Sequence, residues 1–186
     1  SGAGLIGLAW AFPDLRITVV EIDPAIIDLA RKYFPLLPHF EQLGRIRVVE
    51  ADIHDFVRQS DNADWTVTCL DAYGNSSEPF WTTRLLMDLH GRTDDVWLNV
   101  LDDDQPPKLH RYAELLIDCG WRPRCQIPVH DPDDGEMCGN ILLGTRMIDT
   151  YGLRSFRPFA RLEHANAARA QRQIDVLLNH TQRYIH

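Results

Sequence analysis

Apolar positions along the chain alternate between the spacing of buried strands and the spacing of helices. Short runs rich in β-branched residues predict strands at 16–22, 45–51, 65–70 and 96–101. Apolar residues at helical spacing predict helices at 5–12, 23–34, 55–59, 79–89 and 107–119. We therefore expect an α/β fold of three layers, a doubly wound and mostly parallel sheet covered by helices on both faces.

The last third of the chain has a different pattern. Two apolar runs, at 121–129 and 138–146, flank the acidic loop 130–136 and predict a terminal antiparallel hairpin. Residues 159–184 predict a final helix whose arginines could face a partner, with a solvated basic face as the simpler interpretation. We expect a nucleoside-binding domain at 1–150 and a C-terminal helical extension at 151–186.

Composition and charge narrow the class of protein. The chain has 186 residues, of which 45% are hydrophobic and 25% charged, as in ordinary globular domains. The net charge of −8 argues against nucleic acid as the main partner. The four cysteines form no C-x-x-C pair, and Cys69 falls in a strand expected to be buried, which favours reduced thiols. With no long apolar run or signal-peptide pattern, we expect a cytoplasmic protein without a membrane partner.

A glycine pattern at the start predicts a ligand site. Gly2, Gly4 and Gly7 have the G-x-G-x-x-G spacing of a tight turn before a helix. Glu21 follows after about 20 residues, the usual separation of a nucleotide-site acid from such a turn. Because this turn normally follows a strand and only Ser1 precedes Gly2, we expect the first strand of the sheet to lie outside this sequence.

Three acids occupy equivalent positions in successive strands. Glu21, Asp52 and Asp71 each stand at the C-terminal end of a predicted strand, where open α/β sheets bind ligands. Three carboxylates on one rim repel each other unless hydroxyls, amines or a cation satisfy them. The alternatives are an exposed strand-end acid for Glu21, a helix cap for Asp52 and a turn residue for Asp71. Asp23, followed by Pro24, is interpreted as a helix cap.

Other candidate chemistry is weaker. The acidic run 102–104 would hold a cation or a polyamine, although a solvated loop is the simpler interpretation. The loop 130–136 has oxygen ligands for a metal, but we expect it to be solvated and predict no metal site. His54 is a candidate acid or base beside the strand-end acids, with a structural role as the alternative.

Four motifs together resemble a known family. VEIDP at 20–24, ARKYF at 30–34, VVEAD at 48–52 and LDAY at 70–73 resemble the spermidine synthases and spermidine-synthase-like proteins. These proteins belong to the class I S-adenosylmethionine-dependent methyltransferase fold, which has Rossmann-like topology. The resemblance covers residues 2–146. It implies a transferase that alkylates an amine in polyamine metabolism.

The resemblance also implies roles for individual residues. The co-substrate would be decarboxylated S-adenosylmethionine or S-adenosylmethionine, held near Gly2, Gly4, Glu21, Ile22, Asp52 and Ile53. Glu21 would bind the ribose hydroxyls, Ile22 would pack against adenine, Asp52 would accept from the adenine amino group, and the Ile53 backbone would fix the base.

Two further residues are implied in catalysis. Asp71 would orient and deprotonate the attacking amine, and Tyr73 would line the same pocket. The expected partners are a small-molecule amine and, as a possibility, a second copy of the chain in a homodimer.

The sequence departs from the spermidine synthases in ways that keep other functions open. Their D-x-x-D-P run is replaced by a longer segment from Asp71 to Glu78 and Pro79, and their N-terminal hairpin domain is missing. The alternatives are a non-catalytic nucleoside-binding or dimer-forming homologue and a methyltransferase. A nicotinamide-dependent dehydrogenase would leave Asp52 and Asp71 without a role.

Overall fold

The computed structural model describes residues 2–60, 64–71, 82–101, 107–130, 137–145 and 182–183. The chain divides into two compact units, Ser1–Asp61 and Asn62–His186. Within the described residues, no helix is long and apolar enough to span a membrane.

The first unit contains four helices and two strands among its described residues. In chain order they are α1 (Gly2–Ala11), β1 (Ile17–Glu21), α2 (Pro24–Tyr33), α3 (Leu36–Gln42), β2 (Ile46–Glu50) and α4 (Ile53–Gln59). β1 and β2 pair in parallel, with a register that runs from Ile17 opposite Ile46 to Glu21 opposite Glu50. This confirms the predicted neighbouring parallel strands.

A small apolar core holds the first unit together. Ala9 of α1, Leu37 and Phe40 of α3, and Ile46 of β2 are buried against one another. The sequence predicts that prolines end the helix before residue 35, and α2 does end at Tyr33. The new helix α3 then begins at Leu36 with Pro38 in its first turn, where the missing proline N–H would have no helical partner.

The start of α1 corrects the predicted glycine turn. The helix begins at Gly2 rather than at residue 5, so Gly2 and Gly4 belong to its first turn instead of a turn that precedes it. At its other end, the Arg45 guanidinium donates to the carbonyls of Ala9 and Phe12, the latter at 2.7 Å. Arg45 also lies 5.3 Å from the centre of the Phe40 ring. The Arg45 side chain, just before β2, thus contacts both the end of α1 and α3.

The described part of the second unit contains a five-stranded sheet. Its elements are β3 (Trp65–Leu70), α5 (Thr83–Leu89), β4 (Thr93–Leu101), α6 (Pro107–Asp118), β5 (Cys125–His130), β6 (Met137–Gly144) and β7 (Gln182–Arg183). The strand order is β3-β4-β6-β5-β7. β3 and β4 are parallel, whereas β6 is antiparallel to both β4 and β5. The predicted terminal hairpin is confirmed, and its second strand lies between β4 and β5.

Several element boundaries in the second unit differ from those predicted. β4 begins at Thr93 rather than at residue 96, because its pairing with β3 extends back to Trp65 opposite Thr93; the polar Thr93 and Asp95 are buried in this part of the strand. β5 begins at Cys125 rather than at residue 121, and the buried Trp121 instead donates its indole N–H to the Leu86 carbonyl at 3.0 Å.

The structure describes only two residues of the segment for which the sequence predicts a C-terminal helix. Residues 182–183 form β7 where the sequence predicts the end of a helix over 159–184. The rest of that segment, and with it the predicted domain boundary near residue 150, lies outside the described residues.

The prediction that Cys69 is buried is wrong. Its side chain is exposed rather than buried, because it projects from β3 on the face opposite the buried Leu70. Cys69 and the buried Cys119 are both free thiols.

Candidate functional site

Glu21 and Asp52 lie at the same edge of the first unit's sheet. Glu21 is the last residue of β1, and Asp52 follows β2 by two residues. The Ala51 N–H donates to the Glu21 carbonyl at 3.1 Å, so the parallel pairing continues until the chain leaves both strands. Both carboxylates are half-buried. The structure therefore places two of the three predicted acids at one edge of the same strand pair.

The Glu21 side chain is oriented by the backbone that follows it. Its Oε1 accepts a hydrogen bond from the Asp23 N–H at 3.0 Å. Asp23 in turn accepts from the Ala25 N–H at 2.8 Å and caps α2, as predicted. A carboxylate can accept at both oxygens, so Oε2 of Glu21 can serve a ligand while Oε1 holds the turn.

Asp52 caps a helix. Its Oδ1 accepts from the N–H groups of His54, at 2.7 Å, and Asp55, at 3.3 Å, at the start of α4. The capping alternative is therefore confirmed. It does not conflict with ligand binding, because both bonds use the same oxygen and Oδ2 can accept from a ligand.

Apolar surface lies beside both carboxylates. Ile22 directly follows Glu21 and is 64% exposed. Ile53 directly follows Asp52 and is half-buried at the first position of α4. An exposed isoleucine next to an acid provides an apolar contact for a flat base within reach of a hydrogen-bond acceptor.

Gly2 and Gly4 offer backbone donors rather than a turn. The first N–H groups of a helix have no intrahelical partner, and the N-terminus carries a partial positive charge. Their assignment to co-substrate binding stays a prediction, now based on a helix start.

Asp71 lies in the second unit, at the end of β3. Its carboxylate is exposed, and its Oδ1 accepts from Nδ2 of Asn99 at 2.6 Å. Asn99 was not among the residues singled out from the sequence. The signal available was a polar residue inside the apolar run of β4. Tyr73 and the acidic segments at 102–104 and 131–136 lie outside the described residues.

The Asp71 carboxylate affects a neighbouring thiol. Cys69 stands two residues before Asp71 and projects to the same face of β3. Although solvent reaches the Cys69 side chain, the surrounding protein raises the pKa of its thiol, and the negative charge of Asp71 raises it further. This thiol is therefore poorly suited to act as a nucleophile. Where the chain is described, no group of three or more His, Cys, Asp and Glu residues is placed to hold a metal ion.

Comparisons with known proteins agree on the fold. No protein-family model matches the sequence. A segment of 64 residues is 44% identical to the eEF1A lysine and N-terminal methyltransferase homolog of Drosophila melanogaster, covering 34% of this chain and 9% of that protein. The spermidine synthase structure in complex with the transition-state analogue AdoDATO has a TM-score of 0.60 and 12% identity, covering 83% of this chain and 57% of that one. The spermidine synthase of Thermotoga maritima has a TM-score of 0.56 and 12% identity, covering 81% and 62%.

The chain spans less than two thirds of each of these spermidine synthases and a small part of the Drosophila protein. At 12% identity, the structural similarity establishes the architecture and leaves the substrate open. The resemblance to spermidine synthases is therefore confirmed for the fold only. The chain has an α/β fold with parallel strands and helices that matches class I methyltransferase-like Rossmann structures.

Proposed function

We propose that this chain binds S-adenosylmethionine and forms part of a methyltransferase that acts on an amino group of a protein. The Drosophila relative, 44% identical over 64 residues, is named as a homolog of a lysine and N-terminal methyltransferase. Both acceptors in that name are amines, which is also the acceptor type implied by the motif around Asp71. The name supports a methyl group rather than an aminopropyl group as the group transferred.

The observation that carries this proposal is the position of Glu21 and Asp52 at one sheet edge. Adjacent parallel strands lie about 4.8 Å apart. Ribose and adenine are directly bonded in an adenosyl group, so a ribose diol and the base can each reach one of two such acids. Glu21 would accept from the ribose hydroxyls, and Asp52 from the adenine amino group, while Ile22 would pack against the base.

Charge favours a sulfonium nucleoside over a dinucleotide. Dinucleotide sites also contain one acid on the ribose, as Glu21 would be, but a second carboxylate at the same edge adds negative potential that repels a pyrophosphate and attracts a cation. S-Adenosylmethionine carries a positively charged sulfur and no phosphate. The presence of Asp52 beside Glu21 therefore favours it over NAD or ATP.

Asp71 would serve the acceptor. A lysine amine has an ordinary pKa of about 10.4 and is mostly protonated at neutral pH, so it must lose a proton before it can attack. The amine lone pair forms the new N–C bond as the C–S bond breaks, with S-adenosylhomocysteine as the leaving product. A carboxylate that hydrogen-bonds the acceptor nitrogen can orient this attack and accept the released proton.

Binding is tested first by calorimetry with S-adenosylmethionine, S-adenosylhomocysteine and NAD. Glu21→Ala should weaken adenosyl binding by about 1.5–3 kcal/mol, because it removes charge-assisted hydrogen bonds. Glu50→Ala is the matched control, since Glu50 is the register partner of Glu21 and this change makes the same truncation and removes the same charge from β2. Binding of NAD alone, or equal effects of the two substitutions, would contradict the assignment.

The acceptor is tested with radiolabelled S-adenosylmethionine and peptides. One peptide set has a free N-terminus, a second has a free lysine with an acetylated N-terminus, and a third has both amines blocked. Methylation of either of the first two sets without the third supports an amine acceptor. Binding of the nucleoside without transfer to any peptide or protein acceptor would support the non-catalytic alternative.

Aminopropyl transfer is a second candidate, supported by the VEIDP and ARKYF motifs at 20–24 and 30–34. It predicts that decarboxylated S-adenosylmethionine binds and transfers its aminopropyl group to a polyamine or another small amine. The two candidates are separated by giving the protein each donor in turn with the same panel of amines. Turnover with the decarboxylated donor alone would replace the methyltransferase proposal.

A further inference from the structure

Asn99 and Asp71 lie side by side on neighbouring parallel strands of the second unit. The register places Leu70 of β3 opposite Leu98 of β4, so the next residues, Asp71 and Asn99, also face each other. Nδ2 of Asn99 donates to Oδ1 of Asp71 at 2.6 Å. Because an ionised carboxylate only accepts hydrogen bonds, the donor must be the amide nitrogen of Asn99.

The residues of β4 on either side of Asn99 are apolar and buried. Val96, Leu98 and Val100 are at most 1% exposed on one face of β4. Asn99 projects to the other face and is half-buried, whereas Asp71 at the end of β3 is exposed. A polar group in such a strand costs free energy unless it is hydrogen-bonded, and the contact with Asp71 provides this bond for the amide nitrogen of Asn99. The arrangement thus joins a partly buried donor to an accessible carboxylate.

The chemistry of an amide donor suits a carboxylate that has to accept a proton. A lysine or arginine in this position would stabilise the ionised carboxylate strongly by its charge. A neutral amide donates one hydrogen bond to Oδ1 and adds no formal charge. Asp71 is thereby held in one orientation while Oδ2 can accept from an incoming amine.

We propose that Asn99 is a positioning residue for Asp71 in transfer to the acceptor amine. This inference rests on the proposed function, in which Asp71 orients the amine. Asn99 acts through Asp71 and does not itself contact the reacting atoms. Misplacement of a catalytic group by about 1 Å can lower a rate by about 100-fold, so a side chain that orients it has a measurable effect.

The first test compares substitutions at Asn99. Asn99→Leu keeps a similar size and removes the donor, and it should lower kcat for methyl transfer by about 10- to 100-fold. Asn99→Asp places a second carboxylate beside Asp71 and should be at least as damaging. The dissociation constant for S-adenosylhomocysteine should stay within about twofold. Asp94→Asn, an exposed change on the same strand, is the control and should leave kcat unchanged.

A double-mutant cycle separates positioning from a general structural role. In the Asp71→Asn background the proton acceptor is already lost, so adding Asn99→Leu should lower kcat by less than about twofold. A purely structural role of Asn99 would instead reduce kcat by the same factor in both backgrounds. If Asn99→Leu fails to fold, Asn99→Ala replaces it in the cycle, with circular dichroism used to verify folding.

The outcomes distinguish this inference from the proposed function. Transfer by the wild type with independent effects of the two substitutions overturns the role of Asn99 and leaves the methyltransferase proposal intact. Equal kcat for Asn99→Leu and wild type has the same consequence. No transfer by the wild type to any acceptor, with the nucleoside bound, overturns both the catalytic proposal and the role of Asn99.

Discussion

Trp97 and Gly144 face each other across the β4–β6 pair, and the Trp97 ring covers the Gly144 backbone. A Cβ added at Gly144 would lie 2.6 Å from Cη2 of Trp97, far inside van der Waals contact. Glycine is therefore required at this position by the close approach of the indole ring. The contact joins β4 to the second strand of the hairpin at one end of their pairing.

Gly144→Ala should destabilise the protein by about 1–3 kcal/mol, because a rigid ring must move to admit the methyl group. Urea unfolding measures this change. Gly7→Ala is the control, since nothing lies within 4 Å of the added Cβ in α1 and alanine favours helices. In the Trp97→Leu background the cost of Gly144→Ala should fall. An equal cost in both backgrounds would show that Trp97 is not the cause.

Arg45→Met should destabilise the first unit by about 1–3 kcal/mol, because it removes the donor to the Ala9 and Phe12 carbonyls at the end of α1. Hydrogen exchange should show faster opening of α1 amides. Arg16→Met is the control, because the bond from Arg16 to the Gly44 carbonyl is exposed and water can replace it. Unchanged protection of α1 in Arg45→Met would argue against this anchoring role.

Two substitutions separate the two roles of Asp52. Asp52→Asn keeps an oxygen to cap α4, so stability should stay within about 0.5 kcal/mol while adenosyl affinity falls. Asp52→Ala also removes the cap and should lower the free energy of unfolding by about 1 kcal/mol more. Thermal unfolding and calorimetry on the same samples measure both quantities. If adenosyl affinity is unchanged in Asp52→Asn, Asp52 is a cap and not a ligand-binding residue.

The raised pKa of Cys69 predicts slow alkylation. Thiolate is the reactive form, so Cys69 should react with iodoacetamide more slowly than free cysteine at pH 8, even though it is exposed. Asp71→Asn removes the neighbouring negative charge, lowers this pKa and should speed the reaction. Site-resolved mass spectrometry follows Cys69 separately from the buried Cys119. No acceleration in Asp71→Asn would contradict the electrostatic link between the two residues.

The same shift has a consequence for stability. The folded chain holds the Cys69 proton more tightly than the unfolded chain, because its pKa is raised above the ordinary value of 9.0. Folding is unaffected by this thiol at lower pH and loses stability as the pH rises above that value. Cys69→Ser should reduce the loss of stability on the alkaline side, measured by urea unfolding between about pH 8 and pH 10.

Local signals in the sequence determined much of this fold. β-Branched runs placed β1 and β2 as parallel neighbours, and Asp23 with Pro24 correctly predicted the start of α2. These predictions succeed because strand propensity and helix capping depend on residues close together in the chain. The ends of β1 and β2 also placed Glu21 and Asp52 at one edge, since parallel strands share their carboxyl edge.

Only the tertiary structure decided the remaining features. The contact between Asn99 and Asp71 joins residues far apart in the chain, and it depends on the register of β3 against β4. Arg45 contacts the end of α1, and Trp97 covers Gly144. These contacts also join residues that are far apart in the chain. Hydrophobic periodicity shows which residues favour burial, but it does not show which distant strand supplies the neighbour. That choice is made by the packing of the whole unit, where register fixes every cross-strand pair at once.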